Sequence, residues 1–163
     1  MYGVDTISCG ATIAFAMECF EKGIIGLGDT GGIELRFGNA DAMLEVLQQI
    51  VTKTGALGPI LAEGSARAAK VWGPVAAECS ITCNDEEAPA HLPQAKRSLA
   101  LIYAVNNFGA DHQSSEHDPY YEEGIGGFNL DRLMEIDLRE PPAFRSLGAE
   151  KVRHYAFHHN IQT

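Results

Sequence analysis

The spacing of hydrophobic and polar residues predicts helices along most of this chain. The first helix is predicted over 6–22, where apolar residues recur at helical intervals and Gly23 supplies a left-handed stop. No charged residue lies between Thr6 and Met17. A helix without a polar face is typical of a core element, so we expect burial on nearly every side.

Five further segments have helical patterning or helix-ending residues. They are predicted over 40–54, 59–73, 95–106, 129–140 and 147–161. Gly64 falls inside the third helix, where glycine costs about 1 kcal/mol relative to alanine. We therefore expect another backbone to approach closely there. About six helices with scarcely any strand predict an all-α, multihelical fold.

The pattern changes between Glu78 and Pro93, where the chain is polar and interrupted by prolines. Only Ser80 to Thr82 has the character of an extended segment. This change predicts a boundary between a first helical segment, residues 1–78, and a second, residues 79–163.

The charge balance excludes several classes of protein. The chain has 163 residues, 12 Lys and Arg, 22 Asp and Glu, and a net charge of −10, and its cationic stretch from Lys151 to Arg153 is short. A surface this acidic repels phosphate backbones, so we expect no nucleic-acid partner. The uncharged run from Thr6 is shorter than the roughly 20 apolar residues of a membrane helix, so we expect no membrane association either.

The four cysteines are too sparse for a secreted disulfide scaffold and form no C-x-x-C pair. They predict a cytoplasmic protein with reduced thiols. Cys79 and Cys83 would resemble cluster ligands only if two further thiolates converged on them. We interpret all four, including Cys9 and Cys19, as small hydrophobic residues, so no residue is predicted to bind a metal.

One long segment, 107–128, has no apolar period, and a loop of this length inside a compact domain usually has a function. It contains five groups that can bind metals or transfer protons: Asp111, His112, Glu116, His117 and Asp118. A histidine in such a loop is suited to general acid–base chemistry near neutral pH. On composition alone, solvated loop residues are the favoured interpretation.

The text of the sequence resembles a known family. The segments that carry the resemblance are, in order, GVDTISCGATIAFAMECFEKG, GGIELRFGNADAML, LAEGSARAAK, APAHLPQAK and LALIYAVNNFGADH. They resemble the middle of the tungsten-containing aldehyde ferredoxin oxidoreductases, over nearly the whole chain. The resemblance implies the junction of that family's two helical domains, domains 2 and 3, in agreement with an all-α fold.

The resemblance also implies roles for three residues. Gly3 and Asp5 match the end of a motif that holds a pterin of the tungsten cofactor, and are thereby cofactor-binding residues. His112 matches the proposed acid–base histidine of a G-x-x-H pattern beginning at Gly109. The family's A-x-D-P-R sequence is replaced here by Ala-His-Leu-Pro-Gln at 90–94, which predicts an unusual substrate or a loss of activity.

By resemblance, the intact enzyme oxidises an aldehyde to a carboxylic acid and passes electrons through a 4Fe–4S cluster to ferredoxin. The match begins inside the first pterin motif and stops before the second, so we expect the isolated chain to carry neither cofactor and to be inactive. The alternative is a non-catalytic structural or interaction module left by gene truncation. In either case the uncharged first helix predicts a homo-oligomer.

Overall fold

The computed structural model describes residues 2–114, 117–121, 131, 133–135, 142–143 and 145–162, and for Tyr121 and 157–162 it describes the backbone alone. The chain forms two compact units, Met1–Pro89 and Ala90–Thr163. The division predicted at 78/79 refers to the family's domains and stays a prediction.

The first unit contains five helices and a hairpin. These are α1 (Thr6–Glu21), α2 (Ala40–Thr52), α3 (Gly58–Leu61), α4 (Ser65–Trp72), α5 (Pro74–Ala77), and the strands β1 (Thr82–Cys83) and β2 (Glu86–Glu87). The strands pair antiparallel, with Thr82 opposite Glu87 and Cys83 opposite Glu86. The described part of the second unit contains α6 (Arg97–Val105), a 3-10 turn (Asp118–Tyr121) and α7 (Ala149–Gln162).

The all-α prediction is confirmed, since the hairpin is the one sheet found among the described residues. The helix predicted over 129–140 lies mostly outside the described residues, of which 131 and 133–135 are helical. Within the described part of the chain, no helix is both long enough and apolar enough to span a bilayer.

The core of the first unit lies where α1 packs against α2 and α4. Phe15 of α1 stacks on Trp72 of α4 with ring centroids 5.4 Å apart. Leu35, Val46 and Leu57 belong to the same core and are fully buried. The expectation that α1 is buried on nearly every side was wrong. Its second half is buried, whereas Thr6, Ile7 and Gly10 near its start are exposed.

The single helix predicted over 59–73 is two helices, because Gly64 adopts a positive φ of 86°. A Cβ at this position would lie 2.9 Å from Glu87 Oε1. The close approach predicted at Gly64 therefore exists, but the approaching group is a side chain. Glu87 Oε1 also accepts hydrogen bonds from Ser65 N at 2.6 Å, Ser65 Oγ at 2.9 Å and Thr12 Oγ1 at 3.1 Å. This buried carboxylate ties the hairpin to α1 and α4.

The second unit is built on a buried ion pair. Asp118 Oδ1 lies 2.7 Å from Lys151 Nζ, and both side chains are almost fully buried. Asp118 Oδ2 also accepts hydrogen bonds from Ser98 N at 3.1 Å and from Ser98 Oγ. One carboxylate thus connects the 3-10 turn to the first turn of α6 and to α7.

Candidate functional site: a histidine cluster after helix α6

His112 stands in a loop whose shape is fixed by side chains that follow α6. The chain turns at Gly109, where φ is 88°, and buries Ala110. Asp111 then accepts from Gln113 N at 2.8 Å and from Ser114 Oγ at 2.5 Å. These bonds close the loop on either side of His112, so its backbone is held in place.

The His112 ring lies in a cluster of three imidazoles. Its centroid is 4.5 Å from that of His91, which in turn is 4.6 Å from that of His117. His112 and His117 are 6.2 Å apart, and the Tyr120 ring lies 5.9 Å from His117. All three histidines are partly exposed. Small molecules in solvent can therefore reach the cluster.

The hydrogen bonds around the cluster define proton positions. Gln113 Nε2 lies 2.8 Å from His112 Nε2, and the amide nitrogen donates in this orientation. In this orientation Nε2 is the acceptor, so the neutral His112 ring carries its proton on Nδ1. Lys96 Nζ lies 3.5 Å from His117 Nδ1.

The cluster brings together groups that are positive when protonated, in a chain of net charge −10. Burial lowers the pKa of His91, and His117, His112 and Lys96 lower it further by charge repulsion. Every electrostatic contribution to that pKa thus comes from a group that is positive when protonated. Protonation of one imidazole works against protonation of the next.

The three imidazoles do not form a metal centre. Among the residues whose placement the structure gives, no three His, Cys, Asp or Glu side chains converge as metal ligands. Glu116, a candidate from the sequence, lies outside the described residues. Proton transfer and anion binding are the chemistries that this arrangement supports.

Two of the acidic residues that the sequence suggested for metal binding or proton transfer have structural roles. Asp118 is committed to Lys151 and Ser98, as described above. Asp111 closes the loop and, after burial, is the second cause that raises the pKa of Tyr103 to about 12. Each carboxylate accepts hydrogen bonds from donors outside the histidine cluster.

Sequence reasoning missed the two basic side chains that flank the predicted loop. His91 and Lys96 precede α6 and lie next to His117 and His112 in space. The sequence offered one signal for these two residues. They lie just before a short helix, and the segment before a short helix can meet the loop that follows it. Helix α6 is short enough for that, at 9 residues.

Gly3 and Asp5 lie at the start of α1, in the first unit. Asp5 Oδ1 accepts from Ile7 N and Ser8 N, both at 2.8 Å, and so caps the helix. Gly3 has a φ of 71° and open space around its missing Cβ. Asp5 belongs to the first unit and His112 to the second.

The four cysteines are free thiols, and they differ in surroundings. Burial and then Cys79 raise the pKa of Cys19 to about 12. Burial and then the charge of Asp5 raise the pKa of Cys9. Cys79 lies beside Lys22, with Nζ 3.5 Å from Sγ, and Cys83 lies in β1. Cys19 and Cys79 interact with each other, and the raised pKa of Cys19 disfavours the thiolate form that binds metals.

Comparisons with known proteins agree on one family. The family model described as aldehyde ferredoxin oxidoreductase, domains 2 and 3, matches residues 1–162. The chain is 39% identical over 114 residues to a tungsten-containing aldehyde ferredoxin oxidoreductase of Pyrococcus horikoshii, in a match that covers 68% of this chain and 18% of that protein. The corresponding enzyme of Pyrococcus furiosus is 40% identical over 111 residues, with the same coverage of both chains.

A further relative has a different description. The chain is 33% identical over 154 residues to the aliphatic sulfonate oxidoreductase, WOR-like subunit, of Pyrococcus furiosus. This match covers 89% of the chain and 24% of that protein. The chain thus spans between 18% and 24% of the length of these relatives.

Proposed function

We propose that this chain, which belongs to the aldehyde ferredoxin oxidoreductase family and corresponds to its domains 2 and 3, is part of a tungstopterin enzyme. That enzyme oxidises an aldehyde to its carboxylic acid and passes the electrons through a 4Fe–4S cluster to ferredoxin. The relatives described as tungsten-containing aldehyde ferredoxin oxidoreductases support this assignment.

The observation that carries the catalytic role is the position of His112. It lies in a hydrogen-bonded loop, with Nε2 as an acceptor, next to two further imidazoles. Oxidation of an aldehyde to its acid consumes water and releases protons. His112 takes up one of these protons at Nε2, and the neighbouring imidazole of His91 lies near enough to help pass it to solvent.

Gly3 and Asp5 fit a role in pterin binding. A pterin ring presents N–H donors, and Asp5 offers an exposed carboxylate that the first turn of α1 holds in place. The open space at Gly3 leaves room for a ligand beside that carboxylate. When bound, the tungsten–pterin group supplies the two-electron oxidation of the aldehyde. Asp5 then orients the group through hydrogen bonds.

The cysteines of this chain do not fit an iron–sulfur cluster. Such a cluster is held by four thiolates, whereas no convergent ligand group occurs in the described part of the chain. We therefore assign the cluster ligands to residues outside Cys9, Cys19, Cys79 and Cys83. By the same reasoning, the isolated chain carries no cluster and does not oxidise aldehydes alone.

A homo-oligomer and a cytoplasmic location complete the proposal. Apolar side chains of the first unit remain exposed, among them Ile7, Leu27, Phe37, Val71 and Val75. A second copy of the chain can cover such a surface. The cytoplasmic location rests on the four cysteines without disulfide bonds, which suit a reducing compartment.

The test uses the whole enzyme that contains this chain, purified from cells grown with tungstate. We expect stoichiometric tungsten and aldehyde-dependent reduction of ferredoxin, and neither in the 163-residue chain purified in parallel. A whole protein without tungsten and without aldehyde oxidation would contradict the proposal. It would favour a structural or interaction module instead.

A further inference from the structure

Two buried cysteines of the first unit interact without a disulfide bond. Cys19 lies in the last turn of α1, and Cys79 follows α5. Both belong to the hydrophobic core of this unit, and their exposed fractions are 0% and 5%. Burial raises the pKa of Cys19 first, and the charge of Cys79 and its hydrogen bond with Cys19 raise it further. Two thiols in hydrogen-bond contact can be joined after rotation of their side chains.

A lysine lies beside this pair. Lys22 Nζ is 3.5 Å from Cys79 Sγ and 2.5 Å from Glu18 Oε1. These hydrogen bonds, first that of Glu18 and then that of Cys79, raise the pKa of Lys22, so the group is an ammonium at neutral pH. Lys22 and Cys19 are three residues apart at the end of α1, so their side chains share one face of the helix. Cys79 therefore packs against that face.

The surroundings give the two thiols different tasks. Thiolates attack oxidants and thiols do not, and a neighbouring lysine favours the thiolate. Cys79 has such a neighbour in Lys22. Cys19 has a pKa raised to about 12, so it stays a thiol at neutral pH. This arrangement suits Cys79 as the attacking group and Cys19 as the thiol that resolves the product.

Access to the pair is limited to small reagents. Cys19 is fully buried and Cys79 almost so, whereas the Lys22 side chain is half exposed. Cys79 is thus the thiol of the pair that solvent reaches. A hydroperoxide as small as hydrogen peroxide fits this limit, and a bulky disulfide does not.

We propose that Cys19 and Cys79 form an oxidation-sensitive pair, which a small hydroperoxide converts to a disulfide with Lys22 as positioning residue. The Cys79 thiolate attacks one oxygen of hydrogen peroxide, the O–O bond breaks, and Cys79 becomes a sulfenic acid while hydroxide leaves. The Cys19 sulfur then attacks the sulfenic sulfur, and the S–O bond breaks. The hydroxide of each step takes up one thiol proton. The two thiols thus lose two electrons, and hydrogen peroxide is reduced to two water molecules.

The bond changes the stability of the first unit. It connects the end of α1 to the segment after α5 and closes a long loop that contains α2, α3, α4 and Trp72. A disulfide that closes a long loop stabilises a protein mainly by restricting the unfolded chain. We therefore expect the oxidised first unit to unfold at a higher urea concentration than the reduced one.

Treatment of the full chain with hydrogen peroxide, followed by mass spectrometry without reducing agent, tests the pair. The reference is the double variant Cys9→Ser with Cys83→Ser, which keeps only the two proposed thiols. We expect a product lighter by two hydrogen atoms, with peptides linked through Cys19 and Cys79, in both the wild type and this variant. The urea midpoint of Trp72 fluorescence rises in the product, and dithiothreitol reverses both changes.

Single variants separate the two steps. In Cys19→Ala, Cys79 gains oxygen instead of a disulfide, because its sulfenic acid meets no second thiol; in Cys79→Ala, Cys19 stays reduced. Lys22→Met slows disulfide formation about three- to tenfold and Lys22→Arg restores the rate. Lys53→Met, at an exposed lysine of the same unit, leaves the rate unchanged. Trp72 fluorescence reports whether each variant is folded, and serine replaces alanine in a variant that unfolds.

Several outcomes would overturn the proposal. Wild-type Cys79 that gains oxygen without forming a disulfide shows that the two thiols do not react together. Thiols that oxidise only in urea show that the folded core excludes the peroxide. Equal rates in Lys22→Met and the wild type contradict the assignment of Lys22. These measurements need neither tungsten nor an aldehyde, so they are independent of the proposed function.

Discussion

The two units of this chain each bury a carboxylate, and they satisfy it in different ways. In the first unit Glu87 accepts from neutral donors, the Ser65 amide and the hydroxyls of Ser65 and Thr12. In the second unit Asp118 faces the Lys151 ammonium within a polar network. The first unit has an apolar core, and the Glu87 carboxylate connects the elements around it through hydrogen bonds. The second relies on a charge pair for the same task and leaves His91, His112 and His117 partly exposed.

This difference predicts that the units respond separately to substitution. Trp72 is the one tryptophan of the chain, so its fluorescence reports the first unit. Hydrogen exchange of the α6 amides reports the second unit. The two probes therefore measure the stability of each unit separately, which a single unfolding curve would not do.

The largest effect is expected from Lys151→Met. This substitution leaves the Asp118 charge buried without its ammonium, which costs about 3–5 kcal/mol. The α6 amides then exchange at rates typical of an unfolded second unit, while the Trp72 unfolding midpoint in urea stays unchanged. Arg153→Met on the exposed face of α7 is the matched control and leaves both probes unchanged. An equal loss of stability reported by Trp72 fluorescence and by α6 amide exchange would show that the two units unfold together.

A smaller effect is expected from Glu87→Gln. The amide retains one acceptor oxygen but brings an N–H₂ group into a site built of donors, so we expect a loss of about 1–3 kcal/mol. The Trp72 midpoint in urea falls, and exchange of the α6 amides does not change. Glu86→Gln, one residue earlier in β2 and less buried, is the control. A Glu86→Gln loss as large as that of Glu87→Gln would mean that the hairpin, and not the carboxylate, sets the stability.

The smallest effect concerns pH. The folded chain lowers the pKa of His91 below its ordinary value of 6.5 through burial and neighbouring positive groups. The unfolded chain therefore binds this proton first, so the stability from a neutral His91 is present above pH 6.5 and is lost as pH falls below it. We expect the stability difference between His91→Gln and the wild type to favour the variant more at pH 5.5 than at pH 8, by α6 amide exchange. A difference independent of pH would contradict the lowered pKa.

The sequence predicted those elements whose signals are local. Helices α1 and α2 were predicted from helical patterning along the chain, and in the structure Asp5 and Asn39 cap them. Gly64 correctly predicted a close approach of another part of the chain, although the residue interrupts the predicted helix. The hairpin was missed because its strands are very short, and its turn uses Asn84 and Asp85 at positive φ.

The histidine site was predictable only in part, because its members come from separate segments. His112 and His117 share one loop and were singled out together. His91 joins them only through folding of the segment before α6, which carries no periodic signal. Lys151, which begins the short cationic stretch, is buried against Asp118, which lies 33 residues earlier. Pairings over such distances depend on tertiary packing.

The central claim is that His112 transfers a proton in aldehyde oxidation. The most direct test is the pH profile of kcat for the whole enzyme with His112→Gln, compared with the wild type and with Glu45→Gln on the exposed face of α2. We predict a fall in kcat of about 10²–10⁴-fold, loss of one limb of the pH profile, and unchanged tungsten content. A His112→Gln enzyme with wild-type kcat and the same pH profile would contradict the account.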